Sequence, residues 1–173
     1  PPKGAYGANT GIQDAHNLVW KLAAVLRDEA NRDLLTTYEQ ERKPVAKFAT
    51  NQSVMNLANS EGRVHSLIPA IGYLYQSDAI VSEENREIRL DELTLDGVPG
   101  KRAPHVWCNY QGKRISTIDL FGTNFVLFTG NKGEDWLDAV SDVSLHFKVP
   151  IQTYQISTGG DLVDIDNNLQ KAY

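Results

Sequence analysis

Cysteine is nearly missing: the 173 residues hold one, Cys108. A single thiol excludes an intramolecular disulfide, a C-x-x-C redox pair and a thiolate-rich metal site. Histidine is sparse too. His16, His65, His105 and His146 stand far apart, with no pair at i, i+4, so no metal site is assigned. No apolar run approaches the roughly 20 residues that cross a bilayer, and no charged-then-apolar leader opens the chain. Basic excess is absent: the net charge is −5 and the pI about 5.3, a balance that argues against a nucleic-acid footprint. An initiator Met is absent as well. The chain opens Pro1-Pro2-Lys3-Gly4 and stops at Lys171-Ala172-Tyr173 without a terminating signal, and both ends read as cut from a longer protein.

What remains is ordinary globular composition, 41% hydrophobic and 23% charged, enough for one domain or two small ones in a reducing cytoplasm. Residues 1–11 carry turn chemistry in Pro1, Pro2, Gly4, Gly7 and Gly11. Thr10-Gly11-Ile12-Gln13 fits a capping box. Ile12, Ala15, Leu18, Val19, Leu22 and Leu26 then follow at helical spacing, which predicts a helix over 11–27. A second helix is predicted over 34–58 on the stripe Leu34, Tyr38, Val45, Phe48 and Met55, with a kink or break at Pro44. Residues 79–81 and 88–90 read as short strands, and 82–100 as a charged linker. From 101 the pattern changes. Gln111-Gly112 predicts a hairpin turn. Strand 125–129, helix 134–149 and strand 151–156 predict a right-handed βαβ unit with parallel pairing.

A glycine-rich loop leading into a capped helix start offers free N–H groups and the positive end of a helix dipole. That arrangement favours an anionic group, such as the N1–C2=O edge of a reduced flavin, by about 0.3–2 kcal/mol. By itself it decides little, because many such loops bind nothing.

The residue string is more specific. Asn9-Thr10-Gly11-Ile12-Gln13-Asp14-Ala15-His16-Asn17-Leu18-Val19-Trp20-Lys21-Leu22, preceded by Pro1-Pro2, resembles the second flavin signature of the FAD-dependent aromatic-ring hydroxylases, the phenol and polyketide hydroxylase family. Tyr38-Glu39-Gln40-Glu41-Arg42-Lys43-Pro44 resembles the same family's next helix. Gly100 to His105 and Ile118 to Gly122 resemble the entry to its thioredoxin-like C-terminal domain.

The resemblance implies an α/β chain in three parts. Residues 1–60 would be the helical C-terminal part of an FAD-binding domain, 61–100 a connector, and 101–173 a truncated thioredoxin-like domain without redox cysteines. It implies flavin contacts from Gly7, Ala8, Asn9, Thr10, Gly11 and Ile12, with Pro1 and Pro2 beside the substrate pocket. No catalytic residue is assigned. Asp14 is expected in the first helical turn, Trp20 in packing and Lys21 in solvent. The ADP-binding Gly-x-Gly-x-x-Gly unit is missing from this chain. The implied parent is an NAD(P)H-dependent FAD monooxygenase that hydroxylates a small aromatic substrate through a flavin C4a-hydroperoxide, as a homodimer in the cytoplasm. The rival reading is a non-catalytic structural or dimer-forming module that retains no FAD alone.

Smaller signals have plain explanations. Asp161, Asp164, Asp166 and Asn167 lack the Gly and Glu of a calcium loop and read as a polar turn. Gly130 to Gly133 lack a phosphate-loop ending. Cys108 reads as a small buried side chain. The charges Glu39, Glu41, Arg42 and Lys43 fit pairing along one helix.

Overall fold

The computed structural model describes residues 4–58, 61–81, 93–94 and 96–173, which form two compact units, 1–102 and 103–173. Pro1, Pro2 and the strand expected at 88–90 lie outside the described residues. The chain is mixed α/β.

In the first unit, α1 runs Tyr6–Leu26 and α2 runs Thr36–Ala58, joined through a 3-10 turn at Arg32–Leu35. The one-turn helix α3, Ile68–Ile71, contacts both. Helix α1 starts five residues before the predicted boundary. Gly4 and Ala5 both take left-handed backbone, at φ 89° and 56°, and the turn ends there. Tyr6 is buried and anchors the first turn, and its hydroxyl accepts from Asn56 Nδ2 at 3.3 Å. Gly7 and Gly11 are carried inside the helix. The predicted capping box does not form: Thr10 Oγ1 donates to the Tyr6 carbonyl at 2.7 Å, and Gln13 Nε2 donates to the Ala70 carbonyl at 2.6 Å. Helix α2 continues through Pro44 rather than breaking there. Residues 79–81 form a turn and bend, not a strand.

The packing of α1 reverses the sequence expectation. Its buried residues are Tyr6, Asn17, Lys21 and Ala24. Its apolar stripe faces outward, with Ile12 68% and Leu26 82% exposed. The matching face of α2 carries Thr37, Glu41, Arg42, Val45, Ala49, Gln52 and Ser53. The helices therefore meet across a largely polar seam, held by ion pairs and hydrogen bonds.

The second unit opens with β1, Trp107–Tyr110, and β2, Lys113–Ser116, antiparallel across Gln111 and Gly112. Both turn residues have positive φ, 52° and 78°, as a two-residue hairpin turn of the tighter hand requires. Strand β3, Phe125–Thr129, is followed by α4, Glu134–Phe147, and by β4, Ile151–Gln155, which pairs parallel with β3 from Phe125↔Ile151 to Thr129↔Gln155. Strand β5, Leu162–Val163, adds to β1, and α5, Leu169–Ala172, ends the unit. Val106, Cys108, Leu120, Tyr154, Leu162 and Leu169 make the core. Cys108 is fully buried, and burial, with the charges of Asp164 and Asp119, pushes its thiol pKa up. None of the α4 side chains is buried.

Candidate functional site

The start of α1 is the candidate site, and the side chains beneath it hold it in place. The first N–H groups of an α-helix have no partner four residues back. At α1 no side chain caps them. Asn9 and Thr10, the nearest capping side chains, instead donate to the carbonyls of Ala5 and Tyr6. Of the six residues Gly7 to Ile12, Gly7 and Ala8 stand at the open end. Asn9, Thr10, Gly11 and Ile12 lie where N–H groups bond the preceding turn, so their backbone donors are already engaged. Ala8 and Asn9 are exposed and Gly7 is partly so. A Cβ on Gly4 would fall 2.7 Å from the Tyr6 ring, so glycine is needed for the chain to pass this closely over it.

Arg42 is the clamp under this helix start. It is 2% exposed, and its Nε donates to Asp14 Oδ1 at 2.6 Å. Nη1 donates to Tyr75 Oη at 2.8 Å, and Nη2 reaches the Thr10 carbonyl at 3.4 Å and Gln13 Oε1 at 3.3 Å. The guanidinium also lies 5.5 Å from the Tyr73 ring centroid, within cation–π range. Burial works against its charge, but Asp14 and Tyr75 outweigh burial and raise the Arg42 pKa. Burial, helped by the hydrogen bond with Tyr73, raises the Tyr75 phenol well above its ordinary value, so it stays protonated.

Further along the seam, Lys21 Nζ donates to Glu41 Oε2 and to Thr37 Oγ1, both at 2.7 Å. Asn17 Nδ2 and Ser77 Oγ complete the shell of Glu41 at 2.6 and 2.7 Å. Burial pushes the Glu41 carboxyl up, yet the donors Lys21, Asn17 and Ser77 together bring its pKa below the ordinary value.

The expectation that Lys21 faces solvent is therefore wrong: it is fully buried. Asp14 lies beyond the first turn and serves Arg42 rather than the helix dipole. Only Glu39 and Lys43 form the expected surface pair, at 2.6 Å; Glu41 and Arg42 point inward. The missed signal was a second, polar stripe on α1, made of Gln13, Asn17 and Lys21 at helical spacing opposite the apolar one. In the second unit, Asp164 accepts the N–H groups of Asn168 and Leu169, and Asp161 accepts that of Gln155. These are turn-forming bonds, and no metal cluster occurs among the described residues.

Residues 1–53 match the family model described as FAD binding domain. The tetracenomycin A2 monooxygenase-dioxygenase of Streptomyces glaucescens is 42% identical over 174 residues, covering 96% of this chain and 31% of its own. The aklavinone 12-hydroxylase RdmE of Streptomyces purpurascens is 34% identical, covering all of this chain and 34% of its own. The crystal structure of aklavinone-11 hydroxylase with FAD and aklavinone superposes with a TM-score of 0.92 at 33% identity, over 100% of this chain and 34% of that one. The chain belongs to the FAD-dependent aromatic-ring hydroxylase family. It spans about a third of the length of these relatives.

The α1 start of this chain suits a flavin on two counts. Its terminal N–H groups lack a side-chain acceptor, and a glycine with an exposed alanine beside it leaves the backbone approachable. Both suit the electron-rich edge of a reduced isoalloxazine, which gains from donors and from the positive end of a helix dipole. No helix among the described residues is long and apolar enough to cross a membrane.

Proposed function

We propose that this chain supplies one edge of the FAD site in an NAD(P)H-dependent monooxygenase that hydroxylates a phenolic or polyketide aromatic ring. The observation that carries the reading is the uncapped start of α1 inside the segment matched to the FAD binding domain. When bound, the flavin, reduced by NAD(P)H, supplies oxygen activation at C4a. The chain's own part is to present Gly7 and Ala8 N–H groups to the pyrimidine edge, with Asn9, Thr10, Gly11 and Ile12 shaping the surface beside it. Arg42 and Asp14 hold that surface in register with α2. Pro1 and Pro2 lie toward the substrate pocket in this reading.

The second unit is, in the same proposal, a thioredoxin-like domain that has lost redox chemistry. The parallel pair β3–β4 bridged by α4 supports the likeness, and the buried lone Cys108 supports the loss.

The exposed stripe of α1 favours a second statement: the 173 residues alone act as scaffold and retain no FAD. A helix face of this hydrophobicity is ordinarily covered, and the rest of an FAD-binding domain is the covering this reading supplies.

The test is spectroscopic. The 173-residue chain should purify colourless. The protein extended upstream should be yellow and should oxidise NADPH on addition of its aromatic substrate. In that longer protein Asn9→Asp places a negative charge beside the reduced flavin edge. The flavin potential should fall by about 10–40 mV, from the ~0.3–2 kcal/mol of a helix-end charge. An unchanged potential, or a yellow isolated chain, would contradict this assignment.

A further inference from the structure

We propose that Asp14 and Arg42 tune the reduction potential of the flavin, through the charge they place beneath the opening turns of α1. The inference rests on the flavin edge proposed at Gly7 and Ala8. It gives an electrostatic role to a pair that also fastens α1 to α2.

Arg42 is a full positive charge held out of water. Among the described residues Asp14 is the one anion bonded to it, at 2.6 Å. Its other hydrogen-bond partners, Tyr75 Oη, the Thr10 carbonyl and Gln13 Oε1, are neutral. Tyr75 brings no second negative charge, because burial holds its phenol well above the ordinary value. Gln13 is fixed in turn by the bond from its Nε2 to the Ala70 carbonyl. The other ion pair of the seam, Lys21 with Glu41, closes on itself. The charge balance under the start of α1 is therefore set by Asp14 against Arg42.

The two charges are not equally screened. The Arg42 side chain is 2% exposed and that of Asp14 31%. Water and salt weaken the field of the carboxylate more than that of the guanidinium. The pair is neutral by count and positive in effect, and it adds to the positive end of the helix dipole. The reach is short enough for this to matter. Arg42 Nη2 lies 3.4 Å from the Thr10 carbonyl. At a rise of 1.5 Å per residue, Thr10 stands about 4.5 Å along the axis from Gly7, and Asp14 about 10 Å. A unit charge about 10 Å away in a partly buried site shifts the equilibrium of a charged group about tenfold. A reduced isoalloxazine is the more negative form, so positive potential at the helix start favours it and raises the reduction potential.

The experiment measures the flavin potential by spectroelectrochemical titration of the FAD-loaded, upstream-extended protein, with urea unfolding of each variant alongside. Asp14→Asn keeps an acceptor for Arg42 Nε and removes the negative charge. The potential should rise by about 30 mV, which is a tenfold change in a two-electron equilibrium. Arg42→Gln removes the positive charge, and the potential should fall. Asp14→Glu keeps the charge and should leave the potential unchanged. Both charge-removing variants should unfold at lower urea. A merely structural role would move the potential the same way in both, whereas the electrostatic role gives opposite signs. Should Arg42→Gln fail to fold, Asp14→Asn against Asp14→Glu still decides. An unchanged or lowered potential in Asp14→Asn overturns the proposal. So does an equal rise in Asp14→Glu, or a rise in Arg42→Gln. An extended protein that holds no FAD contradicts the flavin edge itself and takes this proposal with it.

Discussion

The ammonium of Lys21 lies 2.7 Å from the carboxylate of Glu41, with the lysine fully buried and the glutamate nearly so. This pair joins α1 to α2 where a hydrophobic contact would ordinarily stand. Removing one partner leaves the other charged and out of water. Lys21→Met should therefore destabilise the first unit by about 3–5 kcal/mol. The double variant Lys21→Met with Glu41→Met should recover a large share of that loss. Urea unfolding of the first unit measures both, and strictly additive losses would show that the two side chains do not act as a pair.

The same glutamate sets an acid limit. Its folded pKa is lowered, so the unfolded chain takes up the proton first as pH falls. The stabilisation is complete above the ordinary glutamate value, about 4.3, and is lost as pH drops through the lower folded value. Glu41→Gln should flatten stability against pH below about 5. A profile as steep as that of the unchanged chain would place the titration elsewhere, Asp96 being another carboxyl held low, by Lys101.

Arg42 makes contacts that a lysine cannot copy. Its Nε, Nη1 and Nη2 serve Asp14, Tyr75, Thr10 and Gln13 in different directions. Arg42→Lys keeps the charge and loses the fork, and should cost about 2–4 kcal/mol. Hydrogen exchange should quicken first in the opening turns of α1, where the Thr10 carbonyl and Gln13 lose their donor.

The outward stripe of α1 gives a contrasting expectation. Val19 and Leu26 are exposed, so Val19→Lys with Leu26→Lys should change the stability of the isolated chain by no more than about 0.5 kcal/mol per site. Binding of a hydrophobic dye should fall. A large loss of stability would mean that the stripe is already covered, for example in a self-associated form, which sedimentation would reveal.

The second unit was largely legible in the sequence: Gln111-Gly112 as a hairpin turn, Phe125 to Thr129 as a strand, and 134–149 as a helix between parallel strands, two residues longer than the helix that forms. Local chemistry and simple periodicity determine those elements. The first unit was legible in element type but not in orientation. Hydrophobic periodicity finds a helix whichever way it faces, and α1 faces the unusual way. Its start was also misread, because Gly7 and Gly11 resemble loop residues until the buried Tyr6 pulls the first turn together. Lys21 and Glu41 were invisible as partners because 20 residues separate them, and only the antiparallel return of α2 brings them together. The expectation of flavin contacts from Gly7 to Ile12 rests on the residue string rather than on physics, since an open helix start has no composition of its own.

The polar seam has a consequence for how the start of α1 is aligned. Grease slides: an apolar contact between two helices tolerates small shifts along their axes with little penalty. Ion pairs and forked hydrogen bonds do not, because each donor has one acceptor within reach. Lys21–Glu41 and Arg42–Asp14 act as two pins along the same pair of rods. Whatever settles on the outer side of α1, Gly7 and Ala8 stay indexed to α2, and the tip of the helix keeps its station.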